Sequence, residues 1–371
     1  MKNKKVGIVT FHTALNYGAI LQTYALQKFL NNNNIDNEII DYDCPFIKKC
    51  YSPFFIAGKK VINSLVRGVV FRNKIFKKRE NFNSFLQKYI NLSPNYQNVD
   101  EMRKDANKYK YFISGSDQVW SPISANFDLF YFLPFAEDYQ KHSYAASLGT
   151  SKLTTDEQNA LRQRLKGFKS ISVREESAKE LLKTITNINN IEVHIDPTLL
   201  LSKNDWQDMV DKKKTNEKYL LIFNVEKPIN DIKFAKNIAK EKKLKIIYIN
   251  DRTLIKDKKI KYVEAPTPNE FINLFANADT IITNSFHGTV FSIIFEKEFY
   301  VELENKKARN IRSESLLKKL NIQNREIKNI ELFKPEPINW QNVANILEEE
   351  RKKSQNYILK INESSEQRGE D

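Results

Sequence analysis

Short apolar runs alternate along the chain with longer stretches in which apolar residues recur every three or four positions. The first run covers residues 5–11, a polar segment follows, helical spacing begins at 19–30, and another apolar run covers 37–42. A short apolar run bounded by turn residues is typical of a buried strand, whereas i, i+3, i+4 spacing predicts an amphipathic helix. The opening therefore predicts a β-α-β unit, and so a parallel sheet with right-handed crossovers.

The same alternation continues and then restarts after a lysine-rich polar segment at 211–217. Further strands are predicted at 109–114, 142–148, 170–174, 191–195, 219–225, 245–249 and 280–283. Further helices are predicted at 156–168, 176–182, 232–242, 267–278, 289–295 and 342–353. Since the pattern occurs twice, we predict an α/β protein with two Rossmann-like domains that face a cleft.

The predicted domains cover residues 1–210 and 217–330. A C-terminal helix at 335–362 is expected to pack back across the domains, and the polar tail 363–371 is expected to be disordered. A chain of 371 residues suits two cores better than one, and its 41% of hydrophobic residues is enough to fill them.

The sequence contains neither the pattern of a signal peptide or membrane span nor the cysteine pattern of a zinc site or disulfide framework. The basic start leads into a short strand rather than a signal-peptide core, and no run of 18 or more nearly uncharged apolar residues occurs. We therefore predict a cytoplasmic protein. Cys44 and Cys50 have no histidine close in sequence, so neither a zinc site nor a disulfide framework is indicated.

Much of the formal charge of +14 is local. Between Lys48 and Glu80, ten basic residues stand against one acid and alternate with apolar residues. We predict a basic amphipathic insertion at about 48–90. Such a stretch can lie on an anionic membrane surface, or it can be a solvated helix face. Nucleic acid is not predicted, because no recognition motif is present.

The sharpest chemical pattern follows the strand at 280–283. Asn284, Ser285 and His287 stand in a predicted turn, Gly288 permits a tight bend, and a helix is expected to start directly afterwards. Free N–H groups and a partial positive charge make such a helix start attractive to anions, and a histidine there can donate a proton. The alternative is that His287 only caps or braces the turn.

A second pattern places Arg174 at the end of a strand and just ahead of a helix. Arginine binds planar two-oxygen anions through paired hydrogen bonds. Arg174 can equally form an ion pair with Glu175, Glu176 or Asp196.

A third pattern follows the strand at 109–114. Asp117 at a strand end is a candidate base for a sugar hydroxyl, and Trp120 is a candidate for stacking on a pyranose face. Asp117 can instead be a helix cap.

The loop with Asn16, Tyr17 and Gly18 stands where nucleotide-binding folds hold phosphates. It lacks the three-glycine fingerprint, so a nicotinamide dinucleotide is not predicted. A basic run downstream of His287 can neutralise phosphate or form a solvated face; it contains Lys306, Lys307, Arg309 and Arg312.

Together these stretches resemble the polysaccharide pyruvyl transferase family. The matching segments occur in the expected order within residues 5–320; they are 7–11, 16–22, 115–120, 144–149, 172–175, 194–198 and 283–289. The resemblance implies the two-domain GT-B fold. It also implies transfer of the enolpyruvyl unit of phosphoenolpyruvate onto two hydroxyls of a sugar, which leaves a pyruvate ketal and releases phosphate.

The resemblance also assigns roles to residues. The family's arginine and histidine map onto Arg174 and His287. Ser285 stands where better-known members have a second arginine, and Arg309 or Arg312 is a candidate to replace it.

We expect the C-terminal domain to bind phosphoenolpyruvate, with His287 as the acid or phosphate partner. The predicted phosphoenolpyruvate-binding residues are Arg174, Ser285, Phe286, His287, Gly288, Arg309 and Arg312. We expect the N-terminal domain to bind the sugar, with Asp117 as the base. The predicted acceptor-binding residues are Asn16, Tyr17, Gly18, Asp117 and Trp120.

The implied chemistry needs no metal and no cofactor. The expected acceptor is a galactose-type residue on a polyprenyl-diphosphate lipid in exopolysaccharide or capsule biosynthesis, which gives the basic insertion a reason to lie on the inner face of the cell membrane. A sugar-nucleotide-dependent glycosyltransferase of the same fold and a non-catalytic scaffold for capsule enzymes are the alternatives.

Overall fold

The computed structural model describes residues 4–52, 61–211, 217–225, 231–250, 253, 256–303, 310–327 and 336–366, and in the helix that starts at Val61 it describes side chains from Val69 onward. The chain divides into two compact units. The first unit comprises Met1–Tyr51, Leu86–Leu200 and Leu347–Asp371, and the second comprises Ser52–Phe85 and Leu201–Ile346.

The first unit is built on a parallel sheet with its first strand in the middle. Its strands are β1 Lys5–Val9, β2 Asn37–Tyr42, β3 Leu92–Tyr96, β4 Tyr109–Ser114, β5 Lys141–Ser143, β6 Ile171–Val173 and β7 Ile191–Val193. The order across the five-stranded sheet is β3-β2-β1-β4-β5. Single bridges from His142 to Ser170 and from Ala146 to Val173 continue it into the β6-β7 pair.

The second unit repeats this arrangement. Its strands are β8 Tyr219–Phe223, β9 Lys245–Ile249, β10 Ile260–Val263, β11 Thr280–Thr283 and β12 Glu298–Val301. They are parallel and lie in the order β10-β9-β8-β11-β12. In both units the second and third strands are added on one side of the first strand, and the fourth and fifth are added on its other side. Doubly wound nucleotide-binding sheets are built in the same way.

The helices of the first half are α1 Tyr17–Asn32, α2 Pro45–Cys50, α3 Val61–Tyr89, α4 Val99–Asp105, α5 Thr155–Arg164 and α6 Glu176–Thr186. Those of the second half are α7 Lys203–Gln207, α8 Asp231–Glu241, α9 Pro268–Asn277, α10 Phe286–Ile294, α11 Ile311–Lys319 and α12 Trp340–Glu366. Single 3-10 turns occur at Ala106–Lys108, Leu129–Phe132, Asp138–Gln140, Pro197–Leu199 and Gln323–Arg325.

The predicted α/β class is confirmed, and four strands (β2, β4, β9 and β11) have the predicted bounds. The predicted start of α9 is also confirmed, because Thr267 and Glu270 form a reciprocal capping box. Strand β5 is shorter than predicted. The chain after Ser143 leaves the regular ladder, with Ala145 at a φ of 48°, before Ala146 pairs again with Val173.

The boundaries of the units differ from the predicted ones in two ways. The first unit gives way to the second after Leu200 rather than at 210, and the basic segment Ser52–Phe85 belongs to the second unit rather than to the N-terminal one. The reason for the second difference is packing: Lys74 on α3 pairs with Glu264, and the Asn81 side chain donates to the carbonyl of Ala265.

The C-terminal helix predicted at 335–362 is observed as α12, which starts later, at Trp340. It continues through Glu366, so residues 363–366 are helical, and residues 367–371 lie outside the described part of the chain. Its part from Leu347 packs on the first unit, where Tyr357 donates to the carbonyl of Ser143 and Ser354 accepts from the amide of Ile195. Among the described residues, no helix has the length and apolarity needed to cross a bilayer.

Candidate functional site

Each unit has one point at its sheet's carboxyl edge where the connections that leave two neighbouring parallel strands lead to opposite sides of the sheet order. These points lie between β1 and β4 in the first unit and between β8 and β11 in the second. Ligands of doubly wound sheets bind in the crevice that opens there. The predicted chemical residues follow β1, β4 and β11, so the topology places all three loops at such points.

In the second unit, His287 lies in the first turn of α10 rather than in a loop. The helix begins at Phe286, three residues before the predicted start, with Ser285 as its cap. The Ser285 hydroxyl accepts from the amide of Gly288 at 3.3 Å. The capping role that was the alternative for His287 therefore belongs to Ser285. His287 is buried, 5% exposed, within this first turn.

Two asparagines hold the loops on either side of this point together. The Asn224 side chain, which follows β8, accepts from the amide of Asn284 at 3.0 Å. The Asn284 side chain in turn accepts from the amide of Val225 at 2.9 Å. This reciprocal pair fixes the start of α10 relative to the end of β8, and with it the backbone that carries His287.

Gly288 is required by packing and not by a bend. It is helical with an ordinary negative φ, in contrast to the predicted tight turn. A Cβ on Gly288 would lie 2.2 Å from Oγ1 of Thr283, the last residue of β11. The absent side chain therefore lets the first turn of α10 lie directly against the end of the strand.

Arg312 supplies a cation beside this turn. Its guanidinium carbon lies 5.5 Å from the centroid of the Phe286 ring, and the Phe286 ring meets the His287 ring edge to face at 5.0 Å. Arg312 thus contacts Phe286, and Phe286 contacts His287, at the start of α10. The other candidates in the basic run, Lys306, Lys307 and Arg309, lie outside the described residues.

In the first unit, Asp117 follows β4 and is held in the left-handed region with a φ of 68°. Such a conformation is uncommon for a residue with a side chain and persists only where its surroundings enforce it. Two contacts do so: Asp117 bridges to Ala146, and the Thr10 hydroxyl after β1 donates to the carbonyl of Ser116. No helix starts at Asp117, so the alternative of a helix cap is wrong.

Arg174 lies in a buried group of carboxylates. Its Nη1 donates to Asp196 at 2.6 Å, its Nε donates to Glu175 at 3.1 Å, and its Nη2 lies 3.7 Å from Asp117. The predicted ion pair with Glu175 and Asp196 is therefore confirmed, whereas Glu176 pairs with Lys179 instead. The Arg174 side chain is 3% exposed and does not present an open fork to a ligand.

Burial alone would lower the pKa of Arg174, but Glu175, Asp196 and Asp117 outweigh it and raise that pKa above its ordinary value. The arginine is therefore charged at neutral pH. Three carboxylates surround this one guanidinium, so the acidic groups around Arg174 outnumber the basic one.

The prediction that Trp120 stacks on a sugar is wrong. Its indole is fully buried between Phe132 and Phe168, and its N–H donates to the carbonyl of Tyr131 at 3.3 Å. Trp120 is thus a core residue that anchors the loop after β4.

The loop after β1 contains three of the residues predicted to bind the acceptor, Asn16, Tyr17 and Gly18. Asn16 is the cap of α1 and accepts from the amide of Gly18 at 2.9 Å, and Tyr17 is 2% exposed. Of these three loop residues, Asn16 is partly exposed, whereas Tyr17 and Gly18 are buried.

Comparison with known proteins assigns most of the chain to one family. The family model for polysaccharide pyruvyl transferase matches residues 16–302. The chain belongs to the polysaccharide pyruvyl transferase family. A search of curated proteins found no significant match.

Solved structures show the fold of this pyruvyl transferase. A Listeria monocytogenes protein assigned as a UDP-N-acetylglucosamine 2-epimerase aligns with a TM-score of 0.52 and 11% identity, over 96% of this chain and 91% of its own. The Neisseria meningitidis UDP-GlcNAc 2-epimerase bound to UDP-GlcNAc gives 0.49 and 11%, over 96% and 99%. Arabidopsis thaliana UGT89C1 with quercetin gives 0.45 and 10%, over 98% and 94%. The first of these shows the two-Rossmann-domain fold of the GT-B class.

As a polysaccharide pyruvyl transferase the chain is an enzyme, and its acceptor is a sugar of polysaccharide synthesis. Sequence reasoning missed the hydroxyls that support the carboxylates around Arg174. Ser116 and Thr198 both donate to Asp196, and Ser147 donates to Glu175. The segment Asp-Pro-Thr at 196–198 was a usable signal, because Asp196 caps the 3-10 turn that follows it.

Proposed function

We propose that this pyruvyl transferase moves the enolpyruvyl unit of phosphoenolpyruvate onto two hydroxyls of one sugar, forming a ketal and releasing phosphate. The observation that carries the proposal is the position of His287 in the first turn of α10, at the point where the strand order of the second unit reverses. A proton donor at the positive end of a helix dipole suits a small anion that must be protonated.

The second unit is proposed to bind phosphoenolpyruvate. The carboxylate and phosphate of phosphoenolpyruvate are anions, and the helix dipole places partial positive charge at the first turn of α10. Arg312, held over the Phe286 ring, adds a positive charge next to that turn. It stands in for the arginine that the family resemblance places at Ser285, where the hydroxyl is engaged in capping α10.

The first unit is proposed to bind the sugar. Three carboxylates and one guanidinium leave its sheet edge negative, which disfavours a multiply charged anion and suits a neutral, hydroxyl-bearing ligand. Asp117 is the proposed base for a sugar hydroxyl. In this scheme Arg174 positions Asp117 and does not hold phosphoenolpyruvate, because Glu175 and Asp196 already occupy its Nε and Nη1.

The proposed reaction balances without an oxidant or reductant. Carbon 3 of phosphoenolpyruvate gains a proton from His287 as the first sugar oxygen bonds to carbon 2. The bond from carbon 2 to the phosphate oxygen then breaks, and the second sugar oxygen bonds to carbon 2. The two hydroxyls lose two protons, of which one is matched by the new methyl group and the other leaves with phosphate.

The proposal includes no metal ion and no cofactor besides the donor substrate. Its acceptor is a galactose-type residue carried on a polyprenyl diphosphate, as in exopolysaccharide or capsule precursors. The proposed place of reaction is the cytoplasmic side of the cell membrane, where such precursors are assembled.

The test is incubation of the protein with phosphoenolpyruvate and a lipid-linked galactoside, followed by phosphate determination and mass analysis of the product. We expect equal amounts of phosphate and of a carboxyethylidene ketal. His287→Gln, which keeps the size but cannot donate the proton, should lower the rate about 100-fold or more. The matched control is His142→Gln in β5, whose ring bonds Ser170 and which should retain most of the activity.

Two results would overturn the proposal. Turnover of a sugar nucleotide with no phosphate released from phosphoenolpyruvate would show a glycosyltransferase. Full function of the His287→Gln protein in polysaccharide assembly would show a scaffold.

A further inference from the structure

The helix α3 carries a cluster of exposed apolar side chains. Val69, Val70 and Phe76 are 69%, 48% and 45% exposed. The other large apolar residues exposed to this degree in the described chain are scattered over turns, 3-10 turns and the segment after β8; they are Ile123, Leu129, Tyr139 and Val225. Isolated exposed apolar residues are ordinary, whereas several on one helix face indicate a surface that binds something.

One side of α3 is buried and the opposite side is exposed. Phe71, Phe82 and Phe85 are buried, at 5%, 2% and 3% exposure, and they lie on one side of the helix by its periodicity of 3.6 residues. Val69 and Phe76, seven positions apart, lie on the opposite side. The structure thus accounts for the inward side of α3 and leaves an outward side that packing does not explain.

The basic residues divide in the same way. Lys74 pairs with Glu264 at 2.7 Å, and Lys78 lies over the buried ring of Phe82, so both serve packing within the second unit. Arg72 and Lys77 are exposed, and the guanidinium of Arg72 lies 5.5 Å from the centroid of the outward ring of Phe76. The outward side therefore combines two cations with three apolar side chains over about two helical turns.

From this arrangement we infer that the outward side of α3 between Val69 and Lys77 docks on an anionic lipid surface. An apolar strip next to basic residues is the pattern of a helix that lies in the membrane interface, with apolar side chains below the headgroups and cations at the phosphates. Charge complementarity between the two cations and lipid phosphates is the reason for choosing an anionic lipid as the partner of this surface. Leu129 and Tyr139, which are also exposed, directly follow Asp128 and Asp138, so the same argument does not apply to them.

The inference goes beyond the proposed reaction and does not depend on it. It concerns where the protein works: an enzyme on such a surface meets acceptors that are themselves held by a lipid. Failure of the phosphoenolpyruvate assay would not contradict the lipid-binding inference, and failure of lipid binding would not contradict the proposed reaction.

The test measures binding of the full chain to vesicles of phosphatidylcholine alone and of phosphatidylcholine mixed with phosphatidylglycerol, by flotation. We expect binding only to the mixed vesicles, weakening as salt is added. Arg72→Gln with Lys77→Gln should weaken binding roughly 30-fold, since each basic residue at an anionic surface contributes about fivefold. Val69→Gln with Val70→Gln and Phe76→Gln should reduce binding while the charge is unchanged.

Matched controls separate this surface from general charge and general apolarity. Lys258→Gln with Lys259→Gln removes two exposed charges elsewhere in the second unit and should leave binding within about twofold, because neither lysine lies on α3. Ile123→Gln with Leu129→Gln removes two exposed apolar residues of the first unit and should have no effect. Thermal unfolding of each variant shows that it is folded, since outward positions contribute little to stability.

Absence of binding to the mixed vesicles would overturn the inference. So would equal loss in the α3 variants and the controls. Binding of a single-stranded oligonucleotide that the α3 variants lose, without lipid binding, would instead assign the surface to nucleic acid.

Discussion

Nη1 of Arg174 lies 2.6 Å from Oδ2 of Asp196, and both side chains are almost completely removed from solvent, at 3% and 0% exposure. The pair joins the end of β6 to the chain that follows β7. Breaking a buried pair is costly, because the remaining charge stays in the interior without its partner. This relationship explains why the arginine, and the aspartate at 117 next to it, are held in place before any substrate arrives.

Arg174→Met should therefore destabilise the protein by about 3–5 kcal/mol, because it leaves the carboxylates of Glu175 and Asp196 buried without a cation. Urea unfolding measures the loss. Arg103→Met is the matched control: Arg103 pairs with Asp100 on the surface of α4, and its removal should change stability little. Equal effects of the two substitutions would show that the buried group does not hold the edge of the first unit together.

Gly288→Ala should destabilise the second unit by about 1–3 kcal/mol, because its methyl group would overlap Oγ1 of Thr283. Adding Thr283→Ala removes that oxygen and should recover part of the loss. Thr283→Ser keeps the oxygen and should not. Thermal unfolding of the single and double variants gives the coupling between the two positions. Strict additivity would mean that α10 moves away from β11 without cost.

Arg312→Met should raise the KM for phosphoenolpyruvate roughly 10- to 100-fold, since a hydrogen bond between charged groups contributes about 1.5–3 kcal/mol. The KM for the sugar should be unchanged, because the sugar is assigned to the first unit. Lys318→Met, an exposed cation on the same helix α11, is the control and should leave both constants unchanged. This prediction rests on the proposed reaction; a larger change in the KM for the sugar than in that for phosphoenolpyruvate would reverse the assignment of the two units.

Cys44 should resist alkylation in the native protein. Burial, reinforced by the neighbouring carboxylate of Asp128, raises the pKa of the Cys44 thiol to about 11. At pH 8 only about one thiol in a thousand is then the reactive thiolate, and the rate should rise as the pH approaches the pKa. Cys50 is partly exposed and its pKa is raised less, so iodoacetamide should label Cys50 first, as read by mass spectrometry. Equal labelling of both cysteines before denaturation would contradict the buried position of Cys44.

The sequence by itself determined the order of elements, the α/β class and the family. The strands β4 and β11 are predicted within their true bounds because a buried strand is a local apolar run with turn residues at its ends. The start of α9 is predicted because Thr267 and Glu270 form their capping contacts within one turn. His287 could be singled out for the same reason, since a polar turn between a strand and a helix is visible in the chain itself.

Tertiary structure alone decided what each of these positions contacts. The sequence predicts that Trp120 stacks on a ligand, but in the folded chain its ring packs against Phe132 and Phe168. The sequence predicts that Gly288 permits a bend, but in the folded chain it makes room for Thr283. Arg174 acquires its partners from the ends of neighbouring strands, and α3 joins the second unit through Glu264, 190 residues further along the chain. The spacing of apolar residues predicts which face of an element is buried. The partners in packing and in ion pairs are distant in sequence, and only the folded chain brings them together.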